Sequence, residues 1–87
     1  MQNTTEIGRL RLNEAICKAL DSIGNEKEFI QAVKNARMVA ITVAVTTKKD
    51  NHGEFSHLLD SEPTDGKSAA LLFEKLMRAL HRARFIQ

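Results

Sequence analysis

Met38-Val39-Ala40-Ile41-Thr42-Val43-Ala44-Val45-Thr46-Thr47 is the longest stretch of the chain without a charge, a glycine or a proline, and its reading decides the fold. Val39, Ile41, Val43 and Val45 alternate with Ala40, Thr42, Ala44 and Thr46. A period of two puts the larger aliphatics on one face of a pleated strand, and valine, isoleucine and threonine suit that surface. The spacing therefore predicts a β-strand over Met38–Thr47. Lys48-Lys49-Asp50-Asn51-His52-Gly53 reads as the following turn, with Gly53 able to close a three-residue loop. A second strand is expected from about Glu54 to Leu59. With Asn51-His52-Gly53 as the loop, Val45 pairs with Leu59 and Thr47 with His57, so the larger apolar groups meet on one face.

The other face of this hairpin is unusual. Ala40, Thr42, Ala44 and Thr46 are all small and uncharged, where a solvent-facing strand carries lysine or glutamate. A ribbon with no charge on either side resembles an inner strand, so its free edge is expected to find cover. Helix 1 or the N-terminal residues can supply that cover, as can a second copy across a two-fold axis, giving a four-stranded sheet, or an extended segment of another protein.

Before the hairpin, Leu12, Ile16, Ala19, Leu20 and Ile23 recur at helical spacing and predict a helix over roughly Thr4 to Ile23. Asn3 with Glu6 forms a capping-box-like start, and Gly24 suits the left-handed residue that ends a helix. Asn25 with Glu28 then opens a shorter helix to about Ala36, with Phe29, Val33 and Ala36 as its apolar stripe. After the hairpin, Pro63 and Gly66 interrupt the chain. Thr64 or Asp65 caps a last helix from about Lys67 to Arg84, whose buried stripe is Ala69, Leu72, Phe73, Leu76, Leu80 and Ala83. The expected fold is a single α+β domain of order α-α-β-β-α, the hairpin packed on helices.

Composition sets limits consistent with that size. The 87 residues are 43% hydrophobic and 28% charged, with four glycines and one proline, which suits one small globular core. A chain this short buries roughly 60 to 65% of its unfolded surface, so its stability is marginal unless a partner adds to it. A single cysteine, Cys17, excludes an internal disulfide. The polar start lacks the features of a signal peptide, and no apolar run approaches the length of a membrane span. A cytoplasmic protein with no membrane contact is expected.

Chemistry-bearing residues are sparse. Cys17, His52, His57 and His81 are dispersed, without zinc-ligand spacing, so neither metal nor cofactor is expected. Cys17 lies beside the apolar stripe, and His57 is expected to be a half-buried strand residue. Asp60 and Glu62 have no companions that would make them an acid/base pair, and no enzyme activity is expected. Gly66-Lys67-Ser68 resembles the end of a phosphate-binding P-loop, but Ser61 stands where that pattern needs a glycine, which leaves an ordinary helix start as the better reading.

Charge is distributed unevenly. The net of +2 hides a C-terminal segment in which Lys67, Lys75, Arg78, Arg82 and Arg84 face only Glu74. Lys75, Arg78 and Arg82 share one helix face, Arg84 lies nearby, and Lys48 and Lys49 at the hairpin tip extend the patch. Such a face suits an acidic protein surface or a phosphate backbone. The chain has no Trp or Tyr for stacking on bases. An α-β-β-α order with a basic last helix resembles part of a double-stranded-RNA-binding domain, although that family has three strands and a lysine-rich start to its last helix, where this chain has Lys67 alone. The function expected is that of a small non-enzymatic, self-associating protein that binds and regulates or inhibits another protein, in the manner of a mobile-element accessory protein. Nucleic-acid binding by the same basic helix is the alternative.

Overall fold

The computed structural model describes residues 4–48, 54–59 and 62–85. Among them it contains four helices and no strand: α1 (Thr4–Asp21), α2 (Glu26–Thr46), α3 (Glu54–Leu59) and α4 (Gly66–Arg82). The α+β expectation is therefore overturned. Met38–Thr47 is not a strand; Met38–Thr46 is the second half of α2, and Glu54–Leu59 is the short helix α3. The four-stranded sheet across a dimer falls with the hairpin. The tip expected to hold Lys49, Asn51, His52 and Gly53 lies outside the described residues.

The physical reason lies in a longer period. Ala32, Ala36, Ala40 and Ala44 recur every four residues, and all are buried. That ladder runs through the point where a helix ending at Ala36 would have to stop, and no glycine, proline or capping residue stops it there. Threonine's preference for strands is offset locally. The hydroxyl of Thr42 donates to the Met38 carbonyl at 2.9 Å, Thr46 to Thr42 at 2.7 Å and Thr47 to Val43 at 2.7 Å, each the back-bond that lets a β-branched hydroxyl sit in a helix. Ala40 and Ala44, expected on one strand face with Thr42 and Thr46, are fully buried, whereas both threonines are exposed.

The stretch is free of charge because α2 is the central element. Among the described residues α1 packs on α2 alone, while α4 packs on α2 and α3. On one side a Cβ placed on Gly8 of α1 would come within 3.1 Å of Val43 Cγ2, so the absence of a side chain at Gly8 lets α1 lie close on α2 there. On another, Phe29 meets Phe73 of α4 edge-on at 6.2 Å. Arg37, 5% exposed, reaches Glu62 at 3.4 Å, and its cation lies between α2 and the segment leading to α4. The result is a slab of 38 × 28 × 18 Å.

Helix ends follow local rules. Asn25 caps α2, its side chain accepting from the Glu28 N–H at 3.2 Å. Gly24 has no left-handed backbone, α1 stops earlier than expected, and Leu20 (49%) and Ile23 (65%) are exposed rather than buried. Among the described residues the left-handed non-glycine positions are instead Lys48 (φ 58°) and Arg84 (φ 60°), one residue beyond the C-caps Thr47 and Ala83. After α4 the Arg84 N–H bonds to the His81 carbonyl and the Phe85 N–H to the Leu80 carbonyl, a Schellman turn that folds Phe85 back into the core. Arginine in that conformation carries strain of about 1 kcal/mol that glycine lacks. Arg84→Gly is accordingly expected to raise stability by about 1 kcal/mol in urea titration; a loss would show that the arginine side chain outweighs the strain.

Candidate binding face on α4

The start of α4 is fixed by a reciprocal cap. Asp65 accepts from the Ser68 N–H at 2.7 Å, and the Ser68 hydroxyl oxygen accepts from the Asp65 N–H at 3.1 Å and the Thr64 N–H at 2.9 Å. The Asp65 carboxylate thus occupies the position a phosphate would need, and Glu26 lies close enough to Gly66 that an added Cβ would stand 3.0 Å from its Oε2. Gly66-Lys67-Ser68 is a helix start with its own anion, and the P-loop likeness goes no further. The Ser68 backbone N–H, and then its hydroxyl, hold the Asp65 carboxyl below the usual carboxylate range. Because the folded carboxyl binds its proton more weakly than the unfolded one, its contribution to stability is full above the ordinary value of about 3.9 and is lost as pH falls through the lower folded value. Asp65→Asn keeps a capping oxygen and removes the titration. Between pH 5 and pH 3 the wild type is expected to lose more of its thermal midpoint than this variant; equal losses would contradict the assignment.

Along α4, Lys67, Lys75, Arg78 and Arg82 form one exposed stripe, opposite the buried Ala69, Leu72, Leu76 and Leu80. The expected trio Lys75, Arg78 and Arg82 is therefore brought together. Arg78 is held by Glu74 at 2.7 Å, an exposed i,i+4 pair that fixes the guanidinium with little energy. Gly66 against Glu26 and Phe73 against Phe29 show that α2 and α4 run in the same direction. Lys48, at the end of α2, and Arg84, at the end of α4, consequently belong to the same end of the molecule. Lys49 lies outside the described residues.

Two features of this face were not identified from sequence. Leu71, 55% exposed, lies within the basic stripe. The short helix α3 also forms a wall beside it. Leu58, Lys75, Arg78, Ala79 and Arg82 line a recess of 210 Å³, and a second recess of 320 Å³ between α3 and α4 has an apolar floor that includes Leu58, Leu71 and Leu72 with His57 and Lys75 at its rim. Leu71 was findable in principle, since it stands four residues from both Lys67 and Lys75; the wall depends on how α3 docks.

The remaining candidates stay apart. His57 and His81 are exposed on α3 and α4, so His57 is not the half-buried strand residue expected. Cys17 is exposed on α1, a helix that makes no contact with α3. Among the described residues no three His, Cys, Asp or Glu side chains lie close enough to hold a metal ion, and no helix is long and apolar enough to cross a membrane. The double-stranded-RNA-binding likeness does not survive the loss of both strands. Comparison with known proteins finds no matching family model, no matching curated protein and no matching solved structure. Fold and face together define a small all-helical module whose most distinctive surface is a basic stripe with an apolar recess beside it.

Proposed function

We propose that the protein is a non-enzymatic binding module that regulates or inhibits a partner protein by docking α4 on an acidic, partly apolar surface of it. The observation that carries this reading is the exposure of Leu71 inside the basic stripe, next to the recess over Leu58. A stripe serving only solubility or the helix dipole gains nothing from an exposed leucine, whereas an acidic peptide or helix with an apolar anchor matches both parts. The same features favour protein over nucleic acid. Phe29, Phe55 and Phe85 are buried and Phe73 is half-buried on Phe29, which leaves no free ring among the described residues for bases to stack on. A cytoplasmic site of action is part of the proposal and is supported by the exposed thiol of Cys17, which suits a reducing compartment.

Capture from the native host, comparing the intact protein with the Lys75→Glu/Arg78→Glu/Arg82→Glu variant, tests the reading. An acidic protein retained by the first and lost by the second supports it. A labelled duplex and a labelled single strand titrated over a salt series provide the opposing arm. Binding whose salt slope flattens in the same variant would replace the proposal with nucleic-acid recognition.

A further inference from the structure

The exposed arc of α2 is a second surface with its own chemistry. Gln31, Asn35, Met38, Thr42 and Thr46 follow at spacings of four, three, four and four, so they form one stripe along the central helix. All five are exposed, Met38 at 51%, and none is charged. A solvent stripe four turns long on a helix normally carries lysine or glutamate. Beside it runs an apolar groove of 330 Å³ between α1 and α2, with Ile7 and Arg11 on one wall and Met38 and Thr42 on the other.

The order of residues along this stripe identifies its occupant. Two amides precede Met38 and two hydroxyls follow it. We infer that the α1/α2 face docks on a second copy of itself, about a two-fold axis that crosses the helices level with Met38. In that arrangement α2 lies antiparallel on α2 of the second copy, so Asn35 faces Thr42 and Gln31 faces Thr46. The chemistry is complementary. Thr42 and Thr46 spend their hydroxyl protons on the carbonyls of Met38 and Thr42, which leaves their oxygens to accept from the amide NH2 groups of the second copy. Helix α1 obeys the same symmetry. The contact of Gly8 with Val43 sets its register, which puts Arg11 roughly level with Ala40 and Glu14 roughly level with Arg37. The axis therefore falls between Arg11 and Glu14 and brings each Arg11 beside Glu14 of the other copy. Charge, hydrogen bonding and apolar surface all close about one axis, as an isologous contact requires.

The area suffices. A helix of 21 residues is about 31 Å long, and two packed helices present a width of about 20 Å, so the face offers roughly 600 Å² per copy and roughly 1,200 Å² for the pair. That lies at the lower end for a specific interface, so the dimer is expected to dissociate on dilution.

Sedimentation equilibrium from micromolar to millimolar protein tests the inference. The mass is expected to move from that of one 9.8 kDa chain to that of two. Met38→Lys puts two ammonium groups together on the axis and is expected to raise the dissociation constant about 100-fold or more, with the helical circular dichroism unchanged, because the position is exposed. Arg11→Glu and Glu14→Arg should each weaken association about tenfold, and the double swap should restore it. A single-chain mass at millimolar concentration, growth beyond two chains, association indifferent to Met38→Lys, or a double swap that fails to restore binding would each overturn the proposal.

Discussion

Ala40→Glu unfolds the protein, whereas Thr42→Lys, two residues on, leaves it folded. Ala40 is fully buried in the ladder Ala32-Ala36-Ala40-Ala44, where a carboxylate would be taken out of water. Burial of an unpaired charge, with overpacking of a tight helix contact, is expected to cost more than about 4 kcal/mol. An 87-residue domain has roughly 4 to 13 kcal/mol in all, so the folded population collapses or becomes detectable only at low temperature. Thr42 is exposed, and lysine is the better helix former, so the substitution is expected to change stability by less than about 0.5 kcal/mol. The contrast is diagnostic because a strand would put both residues on the same face and make the two substitutions alike. Circular dichroism and thermal melts at low micromolar concentration, where the proposed self-association is minimal, provide the measurement. Similar behaviour of the two variants would contradict the helix.

Phe55→Ala is the second large effect. Phe55 is completely buried and meets the ring of Phe85 edge-on at 6.0 Å. It joins α3 to the turn that ends α4. Six residues are too few to hold a helix in water, so α3 depends on what Phe55 and Leu58 bury. Removing the ring forfeits its transfer energy and leaves a cavity, together about 3 to 5 kcal/mol. For a domain of this size the thermal midpoint is expected to fall by roughly 15 °C or more. Phe55→Leu retains most of the volume and should cost less than half as much. Because α3 also walls the recess beside the basic stripe, the alanine variant is expected to weaken partner capture under conditions where α2 remains helical. A shift of only a few degrees would show that α3 is not anchored through this ring.

What could be read from the sequence was local. The caps at Asn25 and Asp65, the burial of Ala69, Leu72, Leu76 and Leu80 and the grouping of Lys75, Arg78 and Arg82 all follow from side chains within four residues of one another, and the structure places them as expected, whereas Phe73 and Ala83 are only half-buried and Ala79 is buried with that face. Met38–Thr47 failed because a ten-residue window satisfies a period of two while the deciding signal is a period of four that begins at Ala32. The absence of charge was informative, but its cause was different. Half of the circumference of α2 is covered by helices on two sides, which apolar residues at both strand-like parities can serve. The exposure of Leu20 and Ile23 was equally out of reach, since it arises because α1 has α2 as its only neighbour among the described helices. Arg84 could be assigned to the basic patch by charge, but its left-handed backbone and capping role depend on where α4 ends.

For the binding face, the charges were legible and the shape was not. The stripe is a property of one helix. The recess requires α2 and α4 to run in the same direction with α3 packed on both, and nothing in the spacing of charged residues encodes that connection.

Backbone NMR assignment tests the central claim most directly. Cα secondary shifts should be positive without interruption from Glu26 to Thr46, with amide-to-amide sequential contacts through Met38–Thr46. Negative Cα shifts over Met38–Thr47, together with cross-strand contacts to 54–59, would restore the hairpin and contradict the all-helical fold.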